Sequence, residues 1–304
     1  MMRAVVIGGS GQIGGLLLRG LEARGHEALG TYATVPFPGL VPLNARDHQA
    51  AAAWLRTQDC DVVFYPAGFT WVDGCERDPD QAYEANLRQP LNLARIAAEK
   101  GSRFVYFSTD YVFDGQAGPY AETDRPRPLS VYGHAKLDAE QALERELGPA
   151  QLTLRTTWVF GPERQGKNFA YQVLRTLRQG KALICPSDQY STPSYGPDVA
   201  SWAIQLVEHG VSGLVHLAGP DFVSRDRFAR LLAEGFDLDP SGVLSRSTAE
   251  LGQTAPRPLR GGLRTPRLHV LLPQPARSLS ETIADFRRRI EAEPDWADPF
   301  LVAG

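Results

Sequence analysis

Arg3-Ala4-Val5-Val6-Ile7-Gly8-Gly9-Ser10-Gly11-Gln12-Ile13-Gly14 opens the chain with a short apolar, β-branched run that passes directly into glycines. Leu16-Leu17-Leu18-Arg19-Gly20-Leu21-Glu22-Ala23-Arg24 follows with apolar residues at helical spacing. The predicted unit is strand, tight turn, helix, the context that gives such a glycine run meaning as a dinucleotide site. Gly8 takes the turn's backbone angles, Gly11 lets main chain approach a pyrophosphate, and Gly14 lets the helix lie close to the strand. The helix N-terminus then offers free N–H groups and a positive dipole end to the phosphates. Without that flanking strand and helix, the same glycines would be only a turn.

The alternation continues outward. His26-Glu27-Ala28-Leu29-Gly30 reads as a second strand ending in Thr31-Tyr32, Asp61 to Tyr65 as a third and Arg103 to Phe107 as a fourth. A long helix is expected from Asp78 to Lys100, with Pro79 in its first turn where a missing N–H costs little. Another helix spans Val131 to Leu147, and Gln151 to Arg155 forms a further strand. This rhythm predicts an α/β fold with a Rossmann-type doubly wound parallel sheet, whose ligands bind beyond the strand ends. An acid at the end of the second strand would hydrogen-bond a ribose 2′-hydroxyl and repel a 2′-phosphate. Thr31 stands there instead, so Thr31 is placed at the cofactor and NADP(H) is preferred over NAD(H).

Beyond about residue 160 the pattern is less regular. Helices are expected over Asn168–Arg178, Asp198–His209, Arg225–Glu234 and Ser278–Ile290, and strands over Ala182–Cys185 and Gly213–Leu217. Residues 236–277, rich in Pro, Gly and Arg, are predicted as extended loops, and Glu291–Gly304 as a loosely held tail. The expected division is a dinucleotide-binding domain over 1–160 and a smaller C-terminal α/β substrate-binding domain over 161–304, with a discontinuous boundary.

A chain of 304 residues can bury a substantial core, and a net charge of −3 gives no general attraction to nucleic acid. Cys60, Cys75 and Cys185 are odd in number and widely spaced, so neither a disulfide framework nor a metal site is expected. Met1-Met2-Arg3 leads straight into the first strand and no apolar run could span a bilayer. A cytoplasmic protein without membrane partners is the expectation.

Ser108-Thr109-Asp110-Tyr111 follows the fourth strand and therefore stands at the ligand edge. Tyr132 and Lys136 lie one helical turn apart, so their side chains share a face. Free tyrosine titrates near about 10, and a neighbouring ammonium would bring the phenol down toward useful acid–base range. Thr109 can hydrogen-bond the same substrate oxygen where charge develops. Tyr132 is the expected proton donor to a carbonyl oxygen, and Thr109, Tyr132 and Lys136 form the expected catalytic set.

These residues resemble the extended short-chain dehydrogenase/reductases. Ser108-Thr109-Asp110-Tyr111-Val112-Phe113-Asp114-Gly115 is more specific and resembles the dTDP-4-dehydrorhamnose reductase branch. Val72-Asp73 with Glu76, Asn86, Pro119-Tyr120 with Glu122, Leu154 to Gly161, Asn168-Phe169, Asp188-Gln189 and Thr192-Pro193 add to the likeness, which spans roughly residues 3–290. The resemblance implies NADPH- or NADH-dependent reduction of a nucleotide-linked 4-keto-6-deoxy sugar. By position, Gly11, Gln12, Ile13, Asn44, Ala45, Gly68, Phe69 and Thr70 would line the cofactor, with Tyr132 and Lys136 at the nicotinamide ribose. Thr109, Asp110, Tyr111, Trp158 and Asn168 would face the sugar nucleotide. A homodimer through the two long helices is a further implication.

The chain departs from the branch at Tyr65-Pro66, where Asn-Ala is usual, and at Asn44, where an acid is common. Arg257, Arg260, Arg264 and Arg267 could grip a pyrophosphate, though a solvated arginine face is the commoner outcome. Two other functions remain compatible with the same motifs. One is an NADP-binding regulatory subunit resembling the β subunit of methionine adenosyltransferase, and the other is a nucleotide-sugar epimerase.

Overall fold

The computed structural model describes residues 1–293. Its elements run β1 (Arg3–Val6), α1 (Gln12–Ala23), β2 (Glu27–Tyr32), β3 (Leu40–Pro42), α2 (His48–Thr57), β4 (Val62–Tyr65), α3 (Val72–Arg77), α4 (Pro79–Tyr83), α5 (Gln89–Glu99), β5 (Arg103–Thr109), α6 (Val131–Leu147) and β6 (Gln151–Thr156). The second half adds α7 (Phe169–Arg178), β7 (Leu183–Pro186), β8 (Tyr190–Ser191), α8 (Gly196–Glu208), β9 (Gly213–Leu217), β10 (Val223–Ser224), α9 (Arg225–Gly235), β11 (Val243–Arg246), α10 (Thr248–Leu251), α11 (Pro266–Leu271) and α12 (Leu279–Ala292).

Seven parallel strands form one sheet in the order β3-β2-β1-β4-β5-β6-β9. Its direction of winding reverses between β1 and β4, so the crevice beyond their C-terminal ends is where an open α/β sheet takes a ligand. One apolar layer packs α1, α8 and α11 on the sheet through Leu17, Leu21, Ile204 and Leu268, and the other packs α2, α5 and α6 through Leu55, Leu93 and Leu143. β9 and α8 thus return from the second half to complete the sheet. A separate core around Tyr171, Phe228 and Phe286 holds α7, α9 and α12 together.

Several expectations are corrected. The helix expected over Asp78–Lys100 contains a wide π turn at Glu84–Arg88 between α4 and α5. Pro90 is the reason: it has no N–H for the Asn86 carbonyl, and its ring crowds that carbonyl in a regular helix. The Tyr106 hydroxyl donates to the Asn86 carbonyl at 2.7 Å in place of the missing amide. Residues 236–277 are not all extended loop, because β11 pairs in parallel with β7 and α10 and α11 follow. β3, α2 and α3 are further elements that the sequence pattern does not reveal. Glu291 and Ala292 belong to α12, and 294–304, the rest of the expected tail, lie outside the described residues. No helix among the described residues is long and apolar enough to cross a membrane.

α6 is seated on the sheet by a buried ion pair. Arg155 on β6 donates to Glu140 from Nε at 2.9 Å and from Nη2 at 2.6 Å, and both side chains are under a tenth exposed. Removing one partner strands the other as an uncompensated buried charge. Glu140→Ala is therefore expected to cost about 3–5 kcal/mol in denaturant unfolding; a loss below about 1 kcal/mol would contradict this role.

Candidate active site

The glycine turn has the shape expected of a phosphate cradle. Gly8 adopts φ +94, and a Cβ on Gly14 would stand 2.1 Å from the Gly8 carbonyl oxygen, so α1 can start this close only with glycine there. A Cβ on Gly11 would meet the Gly8 oxygen at an ordinary 3.4 Å, so the fold itself leaves that position room. Thr31 lies behind the turn: its hydroxyl accepts from the Gly8 N–H at 3.2 Å and its carbonyl from the Gly9 N–H at 2.6 Å. The second half reaches the same turn, since Gln165 donates to the Ser10 carbonyl at 2.6 Å and Gln12 to the Gly161 carbonyl at 3.3 Å. Gln12 and Ile13 begin α1, with Ile13 packed on the core beneath. Asn44, exposed, and Ala45, half-buried, follow β3 at the same sheet edge.

A groove of about 550 Å³ starts at Gly9, Ser10 and Gly11 and runs along α1 and β2 to Phe37, Pro38 and Arg164. It leads away from Thr109, Tyr132 and Lys136, none of which lines it. Arg164 lies over the Phe37 ring at 5.0 Å. No sequence signal links Arg164 to this end of the cradle, because it arrives from the far half of the chain.

Tyr132 and Lys136 project from the first turns of α6, whose start is fixed by Ser130 and Glu76. The Ser130 hydroxyl accepts from the Gly133 N–H, and Glu76 accepts from the Val131 N–H at 3.1 Å. Lys136 is buried and donates to the Phe107 carbonyl at 2.8 Å, with its ammonium 4.4 Å from the Tyr106 ring centre. A Cβ on Gly68 would lie 3.6 Å from Lys136 Nζ, so the lysine borders the loop that carries Gly68, Phe69 and Thr70. Asn86 holds that loop by accepting from the Phe69 N–H at 3.2 Å and donating to its carbonyl at 3.0 Å. Tyr65 and Pro66 leave the loop intact, with the Tyr65 ring buried in the core.

Burial dominates the electrostatics. It lowers Lys136 to about 7, partly offset by Glu140, and it raises the Tyr132 phenol above its ordinary range, partly offset by a hydrogen bond with Thr109. This corrects the expectation that the ammonium brings the phenol down: loss of hydration dominates, the group that lowers the phenol in part is Thr109, and the lysine donates to the Phe107 carbonyl instead. A raised phenol keeps its proton at neutral pH, which is the state a proton donor needs.

The five residues expected at the sugar nucleotide fall into two groups. Thr109 touches the phenol, and Tyr111 packs edge-on against the Tyr132 ring at 5.8 Å. Trp158, half-buried, adopts φ +39 after β6 and lies near-parallel to Phe228. Asp110 and Asn168 are engaged by the fold. The Asp110 carboxylate accepts from Thr157 Oγ1 at 2.7 Å, Ser191 Oγ at 3.1 Å and the Gly262 N–H at 3.0 Å. Asn168 caps α7 through the Ala170 N–H and donates to the Gly161 carbonyl at 2.9 Å. Among the late arginines, Arg257 pairs with Asp73, Arg264 with Asp124, and Arg267 donates to the Ser212 and Leu214 carbonyls. No group of three His, Cys, Asp or Glu residues among the described residues could hold a metal ion.

Comparison with known proteins follows the same lines. The sequence model of the RmlD substrate binding domain family matches residues 2–291. The chain is 35% identical to a dTDP-4-dehydrorhamnose reductase of Mycobacterium tuberculosis, covering 84% of this chain and 82% of that one. It is 34% identical to a probable low-salt glycan biosynthesis reductase of Haloferax volcanii, covering 86% and 89%. Methionine adenosyltransferase 2 subunit beta of Danio rerio is 29% identical, with 88% and 84% covered. Among solved structures, a dTDP-4-dehydrorhamnose reductase from Bacillus anthracis in complex with NADP superposes with a TM-score of 0.87 at 25% identity, covering 95% and 99%.

The two inner glycines of the cradle separate folding from binding. Gly14→Ala forces the start of α1 off the turn and is expected to cost about 1–3 kcal/mol in thermal or denaturant unfolding. Gly11→Ala should leave stability within about 1 kcal/mol while weakening dinucleotide binding at least about tenfold by fluorescence titration. Equal effects of the two substitutions on both measurements would contradict this division.

Proposed function

The chain belongs to the RmlD substrate binding domain family, and from that premise we propose that it reduces the C4 ketone of a nucleotide-linked 4-keto-6-deoxy sugar, dTDP-4-dehydrorhamnose to dTDP-rhamnose, with NADPH. The observation that carries this reading is that Thr109 reaches the Tyr132 phenol while Lys136, one helical turn further along α6, borders the Gly68 loop, beyond the ends of β5 and β4. The glycine cradle fits a dinucleotide, and when bound its nicotinamide supplies the hydride. Tyr132 gives its phenolic proton to the sugar O4 as negative charge builds there. Thr109 orients that oxygen and the phenol together. Lys136 holds the ribose side of the cofactor site from its seat on the Phe107 carbonyl. Burial of this trio excludes water, which strengthens each of these contacts.

Gly8, Gly11, Gln12, Ile13 and Gly14 take the cofactor's diphosphate in this reading, and Asn44, Ala45, Gly68, Phe69 and Thr70 line the rest of its path. Thr31 serves by holding the turn rather than by touching the ribose. The choice of NADPH over NADH is supported by the lack of an acid at the end of β2 and by Arg164 over Phe37 in the groove that starts at Gly9. Thr109, Tyr111 and Trp158 face the sugar nucleotide. Asp110 and Asn168 position that face through the contacts that occupy them. The division into a cofactor domain and a substrate domain falls near residue 160, with α8, β9 and α11 returned to the first. A cytoplasmic homodimer paired through α5 and α6 completes the proposal.

The zebrafish relative favours a second reading, a regulatory subunit that binds NADP without turning it over. NADPH oxidation in the presence of dTDP-4-dehydrorhamnose separates the two. Turnover that falls at least about 100-fold in Tyr132→Phe, with NADPH affinity kept, is the expected result. Lys136→Ala should lower both the rate and NADPH affinity. Tight NADPH binding with no turnover of 4-keto sugar nucleotides would replace the reductase by the regulatory subunit.

A further inference from the structure

Arg225 is a cation at the seam of the two halves that forms no ion pair among the described residues. It is the first residue of α9, directly after β10, and its backbone N–H donates to the Gln189 carbonyl at 2.9 Å. Its guanidinium carbon lies 4.4 Å from the ring centre of Trp158 and 3.9 Å from that of Phe169. Both rings are fixed from behind, because each packs on Phe228, which is fully buried. No carboxylate among the described residues lies within ion-pair distance of Arg225, and Tyr111, Cys185, Asp110 and Arg257 are the titratable groups that act on it most. The carboxylate of Asp110 already accepts three hydrogen bonds, and Arg257 is paired with Asp73.

Two aromatic rings packed against the guanidinium carbon give its N–H groups no acceptor oxygen, which leaves them for a ligand that presents two oxygens. Stacking also removes water from the cation, so the group that pairs with it gains more than it would on an open surface. The phosphates of the dinucleotide are provided for by the glycine turn and the start of α1. Arg225 instead lies over Trp158, one of the residues that face the sugar nucleotide in the proposed reaction, so the cation stands on the side of the second ligand.

We infer that Arg225, packed against the Trp158 and Phe169 rings, grips the diphosphate of the nucleotide-linked substrate through paired N–H donors. This rests on the reductase reading and adds to it the residue that makes a free sugar a poor substrate. The contact is to phosphate oxygens, so its strength is independent of the base.

The test is titration calorimetry of the full chain with dTDP and with UDP, for wild type, Arg225→Gln and Arg225→Lys, beside NADPH titrations, melting curves and KM for the keto-sugar nucleotide. Arg225→Gln should weaken dTDP and UDP by the same factor, about 10- to 100-fold, and raise KM similarly, with kcat changed far less. Arg225→Lys, which keeps the charge but not the fork, should fall between. NADPH affinity and melting temperature should not move. Unchanged dTDP affinity in Arg225→Gln, with the keto sugar still reduced, would overturn the inference and leave the reductase reading standing. Losses of NADPH affinity and melting temperature matching the loss of dTDP would assign Arg225 to packing and overturn it as well. Binding of NADPH but of neither diphosphate by wild type would overturn both.

Discussion

The carboxylate of Asp110 is the point on which the rest of the structure turns. It is buried and accepts from Thr157, Ser191 and Gly262, three segments far apart in the chain. Burial pushes its pKa up while those donors pull it down, so the donors are what favour its charged form. A satisfied network of this kind specifies one arrangement, since losing any member leaves a buried acceptor short. The arrangement it specifies is the docking of the second half onto the end of β5. Thr109 and Tyr111 are its chain neighbours, and through them the carboxylate sets what surrounds the Tyr132 phenol.

A second constraint acts from below. Arg155 and Glu140 hold α6 to β6, one helical turn beyond Lys136, while Ser130 and Glu76 fix where α6 begins. The phenol and the ammonium therefore ride on a helix anchored at both sides of them. Burial then separates their proton states. Tyr132 keeps its proton and Lys136 holds its own loosely, at about 7, so one site offers a proton donor beside a cation whose charge a bound anionic cofactor would favour.

Much of this was legible in the sequence because it is local. The glycine turn, Tyr132 with Lys136, and the strand that leads into Ser108 and Thr109 each declare themselves within a few residues, where spacing and flanking apolar runs carry the signal. What could not be read depends on distant partners. Nothing near Asp110 says that its oxygens go to Ser191 and Gly262, and nothing near Arg225 announces Trp158 and Phe169. The π turn before α5 follows from Pro90, but its relief by Tyr106 needs the sheet. β11 escaped notice because it is short, carries Gly242 and Ser245 around it, and pairs only with β7. The arginine run at 257–267 reads as a possible anion grip, yet Arg257, Arg264 and Arg267 are consumed in ion pairs and carbonyl contacts, while Arg225 lies in an unremarkable helix start.

In the proposed reaction hydride ends on the sugar carbon while the proton comes from the protein. Incubating dTDP-4-dehydrorhamnose with NADPH dideuterated at C4 of the nicotinamide, and reading the sugar product by mass spectrometry and NMR, puts this to the test. One deuterium is expected on C4 of the product, with its hydroxyl proton exchanging with solvent. A sugar product without deuterium, or a sugar whose configuration changes while the labelled cofactor is left unoxidised, would contradict it.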